Sequence, residues 1–348
     1  MATLADVARR AGVSPATASR IINGSSKPVT EALRARVLAA VEELQYVPNA
    51  HAQLLARSHR SAVGVIVHDV SDPYFAEITR GLQRVATEHN RLVIICNTYR
   101  DPEKELEYVE LLRAHQTAAI VLTGSGYHDE EFTNKLDAKL RVYQATGGHV
   151  AVIGRHEHSG HAVLPANETG GYLMGQELYR LGHTRIGVIA GPKHLTTTTD
   201  RLNGLRRAAR EHGQDLPDEH IAYADFQRSG GVTAAAALLD AHPELTALAA
   251  LNDSMAIGAL TLLRSRGISV PDQISLIGFD DMPVARDVTP TLTTIRLPLA
   301  DMGARAMTLA LQPKNPLNSP QIEHVDAELI RRESTAAPRR GPLPTPTP

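Results

Sequence analysis

The feature that most restricts what this chain can fold into is an alternation running through residues 61–335. Short apolar runs ("AVGVIVHDV", "RLVIICNT", "AAIVLTG", "HVAVIGR") alternate with amphipathic stretches ("PYFAEITRGLQRVATEH", "PEKELEYVELLRAH", "NKLDAKL"). The pattern begins again with "GGYLMGQELYRLGH" and continues through "RIGVIAG", "RLNGLRRAAREHG", "HIAYADF", "GVTAAAALLDAH", "ALAALND", "SMAIGALTLLRSRG" and "ISLIGFD". Runs this short and this apolar read as strands covered on both faces, and parallel strands need a helix-length crossover. The repeated βα units predict an α/β body of two doubly wound parallel-sheet subdomains. Ligands of such sheets bind beyond the carboxyl ends of the strands. Two sheets facing each other leave a cleft able to close on a small molecule.

Polar and aromatic groups collect just after the apolar runs, as that arrangement requires. They are Asp72, Tyr74 and Phe75, then Arg155, the stretch Thr196–Arg201 with Thr197 and Arg201, then Phe226, Asn252 and Asp280. A single polar strand end means little, but a set at corresponding ends predicts a binding site. Charged and amide groups suit a polyhydroxylated ligand, while Tyr74, Phe75 and Phe226 offer flat faces to a sugar or a base.

The amino-terminal sixty residues follow a different rule. Thr3 precedes "LADVARRAG" with Asp6 three residues on, an N-cap followed by an acid in the first turn. Leu4, Val7, Ala8 and Ala11 share one helical face, and Gly12 takes the left-handed stop. Ser14 then caps a second helix whose first position is Pro15, where a missing N–H costs no hydrogen bond. Ala18, Ile21 and Ile22 form its packed side, and Ala16, Arg20 and Asn23 share the opposite one with Ser19 beside them. A third capped helix runs from Thr30 through Leu33, Val37, Leu38, Val41 and Leu44. Three short helices with a glycine turn between the first two make an all-α helix-turn-helix module. Its second helix enters the major groove of double-stranded DNA. Arg20 can bond O6 and N7 of a guanine with both arms of its guanidinium, discriminating by roughly 1–3 kcal/mol, and small side chains at 15, 16 and 19 permit close approach.

Charge agrees. The chain of 348 residues carries a net charge of −2. Within residues 1–60, however, eight Lys and Arg face four acids. A basic end on an acidic body points to a polyanion partner. After the third helix, "YVPNAHAQLLARS" offers Asn49 as a cap and a run of helix formers too short to be stable alone. A leucine on a helix formed only at DNA can wedge into a minor-groove step.

The first 58 residues resemble the headpiece and hinge of the lactose-repressor (LacI/GalR) family of bacterial transcription regulators. "TLADVA", "AGVS", "ATASRIIN" and "YVPNAHAQLLA" stand in the family's order and spacing. The resemblance implies a homodimer whose two headpieces read a pseudo-palindromic operator while paired hinge helices insert leucines at its centre. By position Leu55 matches the wedge and Ala52 its companion. Arg20 matches the recognition arginine, Thr17 and Asn23 the backbone contacts, and Pro15 and Ala16 the variable base-reading pair. With the caps Thr3, Ser14 and Asn49 and with Ser19, these make up the expected DNA-facing set. Ala18 stands where valine is usual, and Pro15 and Ala16 cannot donate side-chain hydrogen bonds, so readout there falls to apolar contacts or DNA shape. In the body, "GHTRIGVIAGP", "DRLNGLRRA", "ALNDSMAIGAL", "ISLIGFDD" and "PTLTTIRLPLADMGARA" resemble the family's periplasmic-binding-protein-like domain. That implies a repressor controlled by a small-molecule effector, a sugar ahead of a nucleoside or purine. Two departures touch the effector site: Gly154 where an aspartate often precedes the arginine, and the loop Thr196–Thr199.

The implied boundaries are a headpiece over 1–48 and a hinge over 49–60. An N-subdomain follows over 61–161 plus 292–322, a C-subdomain over 162–291 plus 323–335, and a proline-rich disordered tail over 336–348. The tail lacks leucine heptads, which favours a dimer over a tetramer. The single cysteine, Cys96, reads as a buried strand residue, and no disulfide within the chain is possible. No run is long enough to span a membrane and the N-terminus lacks a signal segment, so a cytoplasmic protein is expected. No cofactor is expected either. His156, Glu157, His158 and His161 fit no helical ligand pair and read as a polar loop, and "TGSGY" lacks the phosphate-loop pattern. A sugar- or nucleoside-processing enzyme with the same body is the competing reading, but no catalytic base can be nominated. A transport binding protein is opposed by the headpiece.

Overall fold

The computed structural model describes residues 2–22, 29–46, 62–156, 160–312 and 320–338, in two compact units lying within 1–60 and 61–348. Asn23, Asn49, Ala52 and Leu55, the hinge, Glu157 and His158, and most of the tail lie outside the described residues.

In the first unit, helix α1 (Leu4–Ala11) begins at a reciprocal cap. The Thr3 hydroxyl accepts the Asp6 amide at 3.3 Å and the Asp6 carboxylate accepts the Thr3 amide at 2.9 Å. Gly12 ends it at φ 64°, where a side chain would also meet the Arg36 guanidinium that bonds the Ala11 carbonyl. Helix α2 (Pro15–Ile22) starts at Pro15, with the Ser14 hydroxyl accepting the Thr17 amide at 3.2 Å. Helix α3 (Glu31–Glu43) differs from expectation, because Thr30 has an extended N-cap backbone but no side-chain bond to the helix. Val7, Ala8, Ala11, Ala18, Ile21, Val37 and Ala40 form the core, closed by Leu4, Ile22, Leu33, Val41 and Leu44. Leu38, grouped with that stripe in the sequence, is 49% exposed, since one step past Val37 turns it about 100° around the helix.

The second unit holds two sheets. The first comprises β1 (Ala62–Val67), β2 (Leu92–Asn97), β3 (Ala119–Thr123), β4 (His149–Ile153), β5 (His161–Pro165) and β11 (Ile322–Val325). Its order is β11-β5-β4-β3-β1-β2, all parallel. Helices α4 (Pro73–Glu88), α5 (Pro102–Ala114) and α6 (Glu130–Ala145) cross over between its first four strands. The second sheet comprises β6 (Ile186–Ala190), β7 (Ile221–Tyr223), β8 (Ala247–Ala250), β9 (Ser275–Asp280), β10 (Thr293–Arg296) and β12 (Glu328–Ile330). Its order is β12-β10-β9-β8-β6-β7, with α7 (Asn167–Arg180), α8 (Thr196–Glu211), α9 (Arg228–Ala241) and α10 (Asp253–Ser265). The sheets are the doubly wound pair the alternation predicts, with one departure: β12 runs antiparallel to β10. It arrives at the sheet edge directly from β11, without a crossover helix to force it parallel.

The same strands correct the expected subdomain limits. β5 and β11 belong to the first sheet and β10 to the second. The chain therefore passes between subdomains after Pro165, after Arg296 and after Val325, a few residues later than read from sequence. A polar loop before "HAVLP" looks like a linker, but only pairing shows that this short run completes a sheet. Helix α11 (Leu299–Leu311) seats on α4, and glycine makes the approach possible. A Cβ at Gly81 would lie 1.8 Å from the Ala300 carbonyl oxygen, and one at Gly303 would lie 2.1 Å from that of Ile78. Cys96 is buried, and burial raises its thiol pKa. No described helix is long and apolar enough to cross a membrane.

Candidate functional site

In the first unit, Ser14, Pro15, Ala16 and Arg20 are exposed along one side of α2, with Thr17 and Ser19 half-buried beside them and Thr3 exposed at the start of α1. The opposite side of α2 is spent on the core through Ala18 and Ile21. The Arg20 guanidinium rests on its own helix, donating to the Ala16 carbonyl at 3.2 Å and the Thr17 hydroxyl at 3.3 Å. Both contacts are exposed and local, so little opposes swinging the side chain outward.

In the second unit a narrow cleft opens beyond the carboxyl ends of both sheets, the place where ligands of such sheets bind. From the first subdomain it is lined by His68 after β1, Asp72, Tyr74 and Phe75 at the start of α4, Arg100 after β2, and Gly124 and Ser125 after β3. From the second come Leu195 and Thr197, Arg201, Phe226 after β7, Asn252 after β8, and Asp280 closing β9. Eight of the nine residues read from strand ends are thus brought together. Arg155 is the exception. It lines a neighbouring cavity walled by Tyr127, Phe132 and Leu136 and pairs with Asp200 at 2.7 Å. Gly154, at φ 106°, turns the chain so closely over the Gly124 carbonyl that the next side chain leaves the cleft. The supposed loop Thr196–Thr199 is also corrected, being the first turn of α8.

Each wall is fixed by local chemistry. Asp72 caps α4 by accepting the Tyr74 amide at 3.0 Å, with Pro73 at the first position. Asn252 caps α10, accepting the Met255 amide at 2.9 Å and donating to the Phe226 carbonyl at 3.0 Å. Phe226 has φ 67°, and its ring fills the space over Gly191, where a Cβ would lie 2.1 Å from it. Asp280 holds φ 105°, a conformation costly for any L residue and retained where the surroundings over-determine it.

Arg201 organises the floor. It is 2% exposed and donates to Asn167 Oδ1 at 2.9 Å, to Asp280 Oδ1 at 2.9 Å and to the Leu251 carbonyl. Its guanidinium stacks 3.6 Å from the Phe279 ring centroid. Burial pushes the Asp280 carboxyl up to about 7 against the downward pull of Arg201. Burial also raises Asp72, opposed by its hydrogen bond from the Tyr74 amide and by Arg100, and raises the Tyr74 phenol.

His68 and Arg100 were missed in the sequence. His68 directly follows an apolar run, and Arg100 precedes a proline-started helix, so both stood at the strand-end positions that marked the others. His68 is buried, with Nδ1 3.3 Å from the Thr98 hydroxyl and its ring edge-on to Phe75. Burial, helped by Arg100 and His156, lowers it to about 3, so it is neutral near pH 7. Its Nε2 and the Arg100 Nε are buried without a hydrogen-bond partner among the described residues, the situation a polar ligand relieves.

The two subdomains touch along one side of the cleft. Arg100 donates to the Asp225 carbonyl at 2.8 Å, Ser125 to the Thr197 hydroxyl at 2.6 Å, and the Thr196 amide to the Gly126 carbonyl at 3.0 Å. Polar contacts that face only each other can be exchanged for water or ligand when the cleft opens.

Residues 3–49 match the family of bacterial regulatory proteins, lacI family, and residues 176–335 match the periplasmic binding protein-like domain. The transcriptional regulator GalR of Escherichia coli (strain K12) is 38% identical over 348 residues, covering 97% of each chain. A solved complex of the transcriptional regulator CelR with cellobiose is 29% identical, with a TM-score of 0.70 over 96% of this chain and 100% of the other. The lac repressor dimer bound to operator and the anti-inducer ONPF shares the fold, with a TM-score of 0.84 at 24% identity over 97% of this chain and 99% of the other. With a helix-turn-helix module and a two-sheet body matched along nearly its whole length, the chain belongs to the lacI family and is a DNA-binding transcriptional regulator, not an enzyme.

Proposed function

We propose that this regulator is a repressor that binds a two-fold-related operator as a homodimer and releases or tightens its grip when a neutral sugar occupies the cleft. The observation that carries the effector part is the cleft itself. Asp72, Asn252, Asp280 and Ser125 face it beside the unpartnered His68 Nε2 and Arg100 Nε. Such a mixture of acceptors and donors matches hydroxyls that do both. Tyr74 and Phe75 meet at 85° and His68 and Phe75 at 88°, so these three rings offer no parallel slot for a base. Arg100 lies 5.6 Å from the Phe226 ring centroid, so that face is partly covered by a donor. Each of the three Arg201 nitrogens already donates to a protein acceptor, and the ion pair with Asp280 offsets its charge, which favours a neutral ligand over a phosphate.

Thermal melting against a panel of neutral sugars, nucleosides and purines tests this. A ligand at about 100 times its dissociation constant adds roughly 2.7 kcal/mol, a shift of several degrees. A sugar is expected to give that shift and to change operator affinity. If only purines shift the melting point, the sugar assignment is wrong.

On the DNA side, Arg20 reads a guanine while Pro15 and Ala16 read apolar groups or groove shape, with Thr3, Ser14, Thr17 and Ser19 around them. The parts assigned to Asn23, Asn49, Ala52 and Leu55 rest on the family resemblance. The dimer is supported by the first sheet's outer strand. Leu92 is 66% and Ile95 41% exposed on β2, beside a groove along α4 formed with Ala76, Arg80 and Gln83. An exposed apolar sheet edge is unusual for a monomer. Ile95→Asp is expected to yield monomers by analytical ultracentrifugation and to weaken operator binding at least ~10-fold, through loss of paired headpieces. A dimer of unchanged stability would place the interface elsewhere.

A further inference from the structure

At the end of the second sheet remote from the cleft, two imidazoles and a carboxylate converge. His220 ends a short 3₁₀ helix (Asp218–His220) that leads into β7, while His242 ends α9 and Glu244 follows it in the turn toward β8. β7 and β8 flank β6 in parallel, so these residues sit at the strands' amino ends, whereas the effector cleft lies at their carboxyl ends. Twenty-one residues, spanning β7 and α9, separate the two histidines in sequence, and no ligand spacing shows until the sheet brings them together.

The distances are informative. Glu244 Oε1 lies 3.5 Å from His242 Nδ1 and 3.9 Å from His220 Nε2, both too long for hydrogen bonds. They approach the edge of a tetrahedron built on zinc bonds of about 2.0–2.1 Å, which is about 3.4 Å. The three ligand atoms all lie within 4.8 Å of one another, so a small imidazole rotation closes the widest gap. The two histidine side chains are 15% and 19% exposed and that of Glu244 47%, which fixes the imidazoles while leaving an entry path. Their rings meet at 4.6 Å, and Pro243 restrains the turn between two of the ligands. Arg185 donates to the Glu244 carbonyl at 2.7 Å and anchors the third.

We propose that His220, His242 and Glu244 bind a zinc ion, with water in the fourth position, tying the outer strand β7 to the α9–β8 turn. Two nitrogen donors and one oxygen donor favour zinc or a neighbouring transition metal over magnesium or calcium, which demand oxygen. The site stands apart from the effector cleft and from the function proposed above.

The test uses full-length protein without a polyhistidine tag, stripped with EDTA and titrated with zinc chloride by calorimetry. One zinc per chain is expected, with binding weakened at least ~10-fold in His220→Ala and in His242→Ala. Zinc should raise the melting temperature of the parent and not that of the doubly substituted chain. Glu244→Gln, which keeps the side chain's shape, provides a further variant should an alanine substitution impair folding, and it too should bind zinc several-fold more weakly. Zinc binding of unchanged affinity and stoichiometry in the double variant would overturn the proposal, as would no binding by the parent below about 100 µM. An equal response to magnesium chloride would also overturn it.

Discussion

Arg201→Ala is expected to destabilise the second subdomain by about 3–5 kcal/mol, the usual cost of removing one partner from a buried ion pair. The guanidinium satisfies Asn167, Asp280 and the Leu251 carbonyl while stacked on Phe279, and alanine orphans all three acceptors. The loss should depend on pH in a defined direction. Asp280 already stands at about 7, well above the ordinary carboxylate value of 3.8. Removing the positive group beside it raises it further. A group whose folded pKa lies above its unfolded one contributes stability below the unfolded value and loses it as pH rises through the folded value. The variant's deficit relative to the parent should therefore shrink as pH falls from about 8 toward 5, where Asp280 takes a proton. Thermal melts at several pH values check this, and a pH-independent deficit would show that Asp280 does not carry the unpaired charge. Asp280→Asn is the companion experiment. Its amide oxygen can still accept from Arg201, so the fold should survive while effector affinity falls at least ~10-fold.

Arg20→Ala is expected to weaken operator binding by roughly 2–6 kcal/mol for the proposed dimer, in which two arginines would each lose a bidentate guanine contact of about 1–3 kcal/mol. That is a loss of at least about 30-fold. Arg20 is exposed and, among the described residues, bonds only within its own helix, so the melting temperature should not move. Binding to random duplex should fall much less, since it depends on total positive charge. Arg20→Lys separates the two contributions. It keeps the charge, and with it the salt dependence, but loses the planar fork and so the preference for the operator. Titrations of operator and random duplex at several salt concentrations decide the matter. Equal operator affinity for parent and Arg20→Ala would remove α2's arginine from base readout.

What could be read from the sequence follows from how local each rule is. Caps and stops depend on residues three or four apart, so Thr3, Gly12, Ser14 and Pro15 announced the first two helices correctly. Thr30 likewise marked the start of the third, at whose N-cap it stands, although its side chain makes no bond to the helix. Strand ends were recognisable wherever an apolar run stopped at a polar or aromatic group, which is how Phe226 and Asp280 were found. His68 and Arg100 obeyed the same rule but carried no chemical signal until burial and missing partners marked them. Arg155 carried the signal and was turned aside by the backbone at Gly154.

By itself, then, the order of residues determined the strands β1–β4 and β6–β9 with the helices between them, that these strands run parallel, and that the basic end forms a separate helical module, since propensity, capping and periodicity act over a few residues. Tertiary structure alone decided which sheet claims β5, β10 and β11, that β12 runs backwards, which strand-end groups meet across the cleft, and that His220, His242 and Glu244 converge. Those outcomes depend on pairing and packing between segments far apart in the chain, where no local pattern records the partner.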